Sequence, residues 1–325
     1  MKTIYKVLLS ILLLFVLSSL GGYFFFRAKF QAPANQLSVT GLPATTAFVW
    51  RADSSTKPVT AHAAILLPVR LPGCPRTCYL QFDTGAPTSL LYANPLAALR
   101  QRYPATQAAL QVQNDTLRNF AFPLGQGRVL ARRVRVLNYG PTELPADTSR
   151  FIIIGTLGAD VLDGRALALD FARQQFRLYD SLPTTLASTA AFAPLSFAER
   201  RVQFASTVQG QPRQLLFDSG SSAFALLTSK SIFEEMAQPA APVKVAAVNS
   251  LGRTLTSYTA ATAATVAVGQ VAVPLGTVTH VEGTSFVEKN LMRFSGMGGM
   301  LGNAPFAGRT LLLDVRGGRF GVLPQ

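Results

Sequence analysis

Two aspartates lie in a short stretch that the chain carries twice. Asp83 ends the largely apolar run 79–82 and precedes Thr-Gly, while Asp218 ends the run 214–217 and precedes Ser-Gly. If folding brings two carboxyl groups within about 3 Å of each other, both cannot ionise at once, so they share one proton. The ionised group can then accept a proton from water while the other donates to a carbonyl oxygen. This is chemistry for hydrolysing an amide bond.

A second stretch is also duplicated. Residues 155–158 are Gly-Thr-Leu-Gly and residues 299–302 are Gly-Met-Leu-Gly, and each copy follows its Asp-(Thr/Ser)-Gly in the same order. Another aspartate follows the last glycine of each copy at equal spacing, at Asp170 and at Asp314. We interpret these two as structural turn residues. Two linked motifs repeated in one order indicate a duplicated half-domain rather than a short solenoid repeat.

The paired motifs resemble those of the two-lobed aspartic proteases, the pepsin-like and retropepsin-like families. Residues 82–85 and 217–220 are similar to the two catalytic loops of these families. Residues 154–158 and 300–302 are similar to the apolar-apolar-Gly segment that crosses behind each loop. The resemblance covers residues 48–325 and is closer in detail to the retropepsin style.

The resemblance implies an all-β, bilobal aspartic-protease-like fold with the active site between two homologous lobes. The expected boundaries are 47–180 for the N-terminal lobe, 181–200 for an inter-lobe linker and 201–325 for the C-terminal lobe. Composition agrees with a β protein, because short apolar runs are broken by Gly, Pro and Asn. With 49% hydrophobic residues in 325, the chain has enough apolar side chains for a sizeable core.

The same resemblance assigns roles at the site. Asp83 and Asp218 are the expected catalytic pair, and the supporting loop residues are Thr84, Gly85, Ser219, Gly220 and Ser221. The glycines let backbone approach the carboxylates, and the Thr and Ser hydroxyls brace one loop against the other. The family also folds a hairpin, the flap, over the substrate. Gly125, Gln126 and Gly127 are the candidate for its tip, with an ordinary glycine turn as the alternative.

The amino-terminal residues stand apart from the rest of the chain. Lys2 and Lys6 precede an uncharged apolar stretch, residues 7–26, which is long enough to cross a bilayer. We predict a cytoplasmic segment 1–6, an uncleaved transmembrane helix 7–26 and a tether 27–46, with the lobes in the periplasm or at the cell surface. A cleaved signal peptide is the alternative.

The only two cysteines, Cys74 and Cys78, flank a turn between two predicted strands. A disulfide closing this hairpin is the favoured prediction, and it agrees with an extracytoplasmic location. Zinc would require four ligands, and only His62 and His280 could join the cysteines, from distant parts of the sequence. We therefore predict no metal site and no cofactor.

The net charge of +14 is spread along the chain without a basic-aromatic cluster, so no nucleic-acid partner is expected. The expected partners are a peptide or protein substrate and, through the N-terminal helix, membrane lipid. The prediction is a membrane-anchored aspartic endopeptidase, monomeric because both aspartate loops are on one chain. The alternative is a catalytically silent peptide-binding or scaffolding protein. A Ser/His hydrolase is disfavoured, because the chain has no G-x-S-x-G elbow.

Overall fold

The computed structural model describes residues 5–6, 13–19, 21–22, 24, 31–53, 59–250, 253–283 and 297–324. The chain divides into two units, Met1–Ala34 and Asn35–Gln325. Much of the predicted segment 1–6 and of the predicted anchor 7–26 lies outside the described residues. Among the residues that are described, no helix has the length and apolar character needed to cross a membrane.

The larger unit is mostly β. Its strands are, in chain order, β1 (Leu37–Thr40), β2 (Ala44–Ala47), β3 (Val49–Asp53), β4 (Thr60–Val69), β5 (Cys78–Asp83), β6 (Leu90–Tyr92), β7 (Val112–Gln113), β8 (Thr116–Leu124), β9 (Gly127–Leu137), β10 (Ile152–Gly158), β11 (Ala166–Asp170), β12 (Gln175–Tyr179), β13 (Ala191–Ser196), β14 (Gln203–Val208), β15 (Gln211–Phe217), β16 (Leu226–Thr228), β17 (Lys244–Ser250), β18 (Arg253–Val268), β19 (Val271–Glu282), β20 (Met297–Leu301), β21 (Thr310–Asp314) and β22 (Arg319–Val322). Its α-helices are α1 (Ala93–Arg102), α2 (Thr184–Thr189) and α3 (Lys230–Met236). The prediction of a β-class fold is confirmed at this level.

The same strand pairing occurs once in each half of this unit. In the first half β10 lies parallel to β5 and antiparallel to β6, and β6 lies parallel to β9. In the second half β20 lies parallel to β15 and antiparallel to β16, and β16 lies parallel to β19. The duplicated sequence stretches therefore occupy equivalent strands. Each aspartate loop follows β5 or β15, and each Gly-x-Leu-Gly stretch belongs to β10 or to the end of β20.

Buried phenylalanines explain why the repeat includes aromatic residues. Phe82, directly before Asp83, meets Phe176 of β12 with ring centroids 5.1 Å apart in an edge-to-face contact. Phe217, directly before Asp218, meets Phe320 of β22 at 5.7 Å in the same manner. Such aromatic pairs stabilise a core beyond the area they bury. Each contact holds the end of an aspartate-bearing strand against the strand hairpin that follows it.

Strands from both halves join in one sheet, in the order β13-β22-β21-β11-β12-β2. At its centre β11 pairs antiparallel with β21, with Ala168 opposite Leu312. The aspartates that end these two strands are turn residues, as the sequence predicted. Asp170 accepts a hydrogen bond from the Arg173 backbone N–H at 2.9 Å, and Asp314 accepts one from Gly317 at 2.8 Å.

Two segments predicted as connections contribute strands instead. Residues 37–40 and 44–46, assigned to the tether 27–46, lie in β1 and β2, which pair with β9 and β12. Leu37 and Val39 pack against the core, and Ala44 is fully buried, so burial of these apolar side chains favours the strands. The predicted linker 181–200 contains α2 and β13, and β13 pairs with both β14 and β22.

The two cysteines are free thiols in this structure, so the predicted disulfide is not formed. The Cys74 thiol donates to the carbonyl oxygen of Arg76 at 3.2 Å. Cys78 is fully buried at the start of β5, and this burial, together with the adjacent Cys74, raises the pKa of its thiol. Because the thiolate is the form that reacts, this environment slows oxidation of the pair.

Candidate active site

The two repeated aspartates are held by the strands that cross behind them. Asp83 ends β5 and stands in register with Gly158 of the parallel strand β10. The backbone N–H of Asp218, one residue past β15, donates to the carbonyl oxygen of Leu301 on β20 at 2.9 Å. Both aspartates thus leave equivalent strands at equivalent points, which brings their loops together.

Each loop bends back on its own aspartate. The backbone N–H of Gly85 donates to Oδ1 of Asp83 at 2.8 Å, and that of Gly220 donates to Oδ1 of Asp218 at 2.8 Å. Asp side chains commonly bond backbone two residues ahead in this way, which fixes the turn and the carboxyl orientation. The two carboxyl groups therefore make the same hydrogen bond to their own loops.

The loop glycines allow each half to approach the carboxylate of the other half. A Cβ atom added at Gly85 would lie 2.6 Å from Oδ1 of Asp218. One added at Gly220 would lie 2.4 Å from Oδ1 of Asp83. Real Cβ atoms essentially never come so close to another heavy atom. Glycine is required at both positions because a side chain would overlap the carboxyl group of the other half.

Two buried hydroxyl groups bridge the loops. Oγ1 of Thr84 donates to the Phe217 carbonyl at 3.0 Å and accepts from the Ser219 backbone N–H at 3.0 Å. Oγ of Ser219 donates to the Phe82 carbonyl at 3.2 Å and accepts from the Thr84 backbone N–H at 3.0 Å. Thr84 is 1% exposed and Ser219 0%, so water cannot replace these bonds. The reciprocal arrangement fixes the spacing between the two aspartates.

The surroundings of the two carboxyl groups differ. Oγ of Ser221 donates to Oδ2 of Asp218 at 2.9 Å, and the equivalent residue of the first loop is Ala86, which has no hydroxyl. Asp218 is buried, whereas Asp83 is partly exposed. A hydrogen bond from Ser221 favours the charged form of its carboxylate.

Burial and the neighbouring Asp218 raise the pKa of Asp83 to about 7. Burial is the largest cause, followed by the charge of Asp218 and a hydrogen bond to it. Backbone N–H groups of Gly85 and Ala86 act in the opposite direction. Two carboxyl groups coupled this closely titrate as a pair, so the single proton between them belongs to both. The pair can act as acid and base together in acid and neutral solution.

Further polar residues support the loops, and the sequence did not single them out. Oγ of Ser89 donates to Oδ1 of Asp160 at 2.7 Å and accepts from the backbone N–H of Gly158 at 2.9 Å. In the second half, Nδ2 of Asn303 donates to Oγ of Ser222 at 2.6 Å. Asp160 and Asn303 come just after the glycines that end the two Gly-x-Leu-Gly stretches. This shared position is the sequence feature that could have identified them as supporting residues.

The residues two positions before those glycines differ in polarity. In β10 this position is Thr156, whose Oγ1 shares a hydrogen bond with the Tyr92 hydroxyl at 2.8 Å. In β20 it is Met300, whose sulfur lies 3.3 Å from Oγ of Ser221. Met300 therefore contacts a residue that itself bonds Asp218. Equivalent positions of the two halves therefore hold a hydroxyl group and a thioether.

The hairpin turn proposed as a flap tip lies against β2. The side-chain oxygen of Gln126 accepts from the backbone N–H of Thr45 at 3.0 Å, and its amide nitrogen donates to the Pro43 carbonyl. This turn joins β8 and β9, and its counterpart in the second half joins β18 and β19.

The hairpin β7–β8 of the first half is short, and the equivalent hairpin β17–β18 of the second half is long. β7 has two residues paired with β8, whereas all seven residues of β17 pair with β18, from Lys244 opposite Thr259 to Ser250 opposite Arg253. Residues 251–252, at the tip of the long hairpin, lie outside the described part of the chain. The sequence showed no distinct signal for this difference.

Among the described residues, no group of three or more His, Cys, Asp or Glu side chains is placed to hold a metal ion. Comparison with protein-family models gives no match, and comparison with curated proteins gives none either.

Proposed function

We propose that this chain is an aspartic endopeptidase that hydrolyses peptide bonds with a water molecule activated by Asp83 and Asp218. Two observations carry the proposal: each carboxyl group lies against the loop glycine of the other half, where an added Cβ would clash with it, and Asp83 forms a hydrogen bond with Asp218. A pKa of about 7 for Asp83 supports it, because the pair then retains one proton in acid solution.

The reaction follows from that shared proton. Water bound between the carboxyl groups gives a proton to the ionised one as its oxygen attacks the carbonyl carbon of the peptide bond. The protonated carboxyl donates its proton to the carbonyl oxygen, which forms a tetrahedral diol. When the carbon–nitrogen bond breaks, a proton passes from the pair to the leaving nitrogen, and the diol returns a proton to the pair. The pair ends with the one proton with which it began.

The proposed fold is the bilobal aspartic-protease-like one, with each half forming a lobe. Support comes from the strand pairing that recurs around β10 and β20 and from the Thr84–Ser219 bridge between the two loops. Residues 125–127 remain the predicted flap tip, with an ordinary hairpin turn as the alternative, and Gln126 holds this turn against β2.

The proposed location is the outer side of a membrane, with residues 7–26 as a single-pass anchor. Its support is the uncharged apolar stretch after Lys2 and Lys6. The proposed enzyme is a monomer, since one chain supplies both carboxyl groups.

The proposal is tested by digesting a peptide library with the full chain, purified in detergent, and identifying products by mass spectrometry across acid and neutral pH. Cleavage that stops in both Asp83→Asn and Asp218→Asn supports the enzyme. The exposed Asp115→Asn serves as the matched control and should retain activity. If the parent chain binds peptides but cuts none at any pH, the silent peptide-binding protein replaces this proposal.

A further inference from the structure

Three exposed arginines lie on one side of the β8–β9 hairpin, and we call them the arginine cluster: Arg118, Arg133 and Arg135. Arg118 is directly opposite Arg133 in the antiparallel register, and Arg135 is two residues further along β9. Residues that are paired, or two apart on one strand, point to the same side of a sheet. Val134, between the two arginines of β9, is buried on the other side. The three guanidinium groups therefore share one face.

The fold does not balance the charges of the arginine cluster. Like charges directly opposite each other destabilise a sheet. Among the ion pairs between described residues, none includes a member of the cluster, and none includes Asp115 at the turn before β8. A local arrangement that opposes folding without compensation indicates a role in binding.

The arginine cluster lies on the sheet face that carries Asp83. One row of paired residues crosses the sheet of the first half from β5 to β9: Gln81, Thr156, Leu90 and Arg135. Asp83 is two residues beyond Gln81, so it points to the same side as this row. Because β9 runs antiparallel to β5, Arg133 lies on the same side of the row as Asp83 does.

The strand spacing sets the distance between the aspartate and the cluster. Strand β9 is three strands away from β5, in the order β5-β10-β6-β9. Neighbouring strands lie about 4.8 Å apart, so the backbones of Asp83 and Arg133 are about 14 Å apart. An extended peptide advances about 3.3 Å per residue, so about four residues span this distance.

The second half carries neutral residues at the equivalent positions: Ala261, Thr277 and Thr279. Thr279 takes the place of Arg135, because it pairs with Leu227, which in turn pairs with Met300. Its hydroxyl shares a hydrogen bond with the Thr259 hydroxyl at 2.9 Å. The same strand pairing thus forms without cations, and the fold does not require the arginines.

We propose that the arginine cluster binds an Asp or Glu side chain of the peptide substrate, about four residues from the scissile bond. Guanidinium groups hold carboxylates through two parallel hydrogen bonds, which gives both affinity and orientation. Because only the first half carries the arginines, the acidic residue is required on one side of the scissile bond. This inference rests on the proposed peptidase activity and adds acidic peptides as its substrate class.

The first test measures cleavage by the full chain in detergent, with one peptide that the library identifies as a substrate. Glutamate is placed in turn at each position from the second to the sixth on either side of the scissile bond, and every peptide has a glutamine counterpart. We expect kcat/KM to be about tenfold higher for Glu than for Gln near the fourth position on one side. A preference at no position, or only next to the scissile bond, would overturn the inference.

Two double variants of β9 separate the arginine cluster from general charge. Arg133→Gln with Arg135→Gln alters the cluster, whereas Arg128→Gln with Arg132→Gln removes two exposed arginines that lie beside β1. We expect the first to cleave the Glu and Gln peptides at equal rates and the second to keep the preference. Arg133→Glu with Arg135→Glu should instead favour lysine at the same position. Equal losses of preference in the two Gln variants would overturn the inference.

Binding is measured separately from cleavage, so that this inference and the peptidase proposal can fail separately. Fluorescence anisotropy gives the affinities of labelled Glu and Gln peptides for the Asp218→Asn chain, with and without the Arg133–Arg135 change to Gln. Tighter binding of the Glu peptide that disappears with that change supports the arginine cluster even if the parent cuts no peptide. Equal affinities for the two peptides would overturn the inference, whether or not the parent cleaves them.

Discussion

Ser221 donates a hydrogen bond to Asp218 at 2.9 Å, and no hydroxyl occupies the equivalent place beside Asp83. The two halves supply matching aspartates, but only Asp218 has a side-chain hydroxyl that stabilises its carboxylate. Asp83, beside Ala86, is the carboxyl whose pKa is raised to about 7. Burial and the charge of Asp218 raise this pKa, and Ala86 offers the Asp83 carboxylate no hydroxyl that would favour its charged form.

We predict that Asp83→Asn and Asp218→Asn each lower peptide cleavage by at least about a thousandfold while the chain stays folded. Removing either carboxyl removes the partner with which the proton is shared, so the double variant should lose little more than each single one. Rates with one peptide substrate and circular dichroism spectra check both statements. Asp170→Asn, which breaks a turn contact, should lower thermal stability more than turnover. Wild-type rates in either active-site variant would refute the assignment.

The upper limit of the pH–activity profile should lie near the pKa of Asp83, about 7. Ala86→Ser adds a hydroxyl at the position that Ser221 occupies in the other loop. A hydrogen bond to the charged carboxylate lowers its pKa, so the upper limit should move about one pH unit lower. Initial rates across pH for parent and variant test this. The opposite displacement, or none in a folded variant, would show that Asp83 does not set this limit.

Asp83→Asn should stabilise the fold at high pH. Because the folded pKa of Asp83 is raised above the ordinary 3.8, its contribution to stability is full below about pH 4. That contribution is lost as pH rises through about 7, where the buried pair must accept a second charge. We expect a higher melting temperature than the parent at about pH 8 and no difference at about pH 4. Asp115→Asn, at an exposed site, should show no such dependence.

The lobes should lie outside the cytoplasmic membrane. Protease added to intact spheroplasts should digest them if the positive charges of Lys2 and Lys6 keep the amino terminus in the cytoplasm, as the sequence predicts. A cytoplasmic marker protein should survive the same treatment. Lobes that stay protected until lysis would reverse the predicted orientation.

The sequence predicted the aspartate loops well because their determinants are local and repeated. Phe82 and Phe217 precede the aspartates, and the glycines that follow them are required by contacts across the pair. The strands β1 and β2 were missed because distant partners form them. Leu37 pairs with Ala131, and Ala44 pairs with Leu178, and no short window of sequence contains both members of either pair.

The position of the turn at residues 125–127 also depends on distant contacts. Gly125 and Gly127 are an obvious turn signal, but contacts of Gln126 with Pro43 and Thr45 decide where that turn lies. The long β17–β18 hairpin carries β-branched and small residues without a distinctive motif. Its length became clear only from the pairing register.

The sheet shared by both halves also orders events during protein synthesis. Strand β11 can pair with β21 only after β21 has been synthesised. Strand β15, which leads into the Asp218 loop, likewise pairs with the later strand β20. A ribosome that has made only the first half holds Asp83 without its partner carboxyl. The proton-sharing pair can therefore form only after β20 has emerged. The proposed peptidase activity would be deferred until that point.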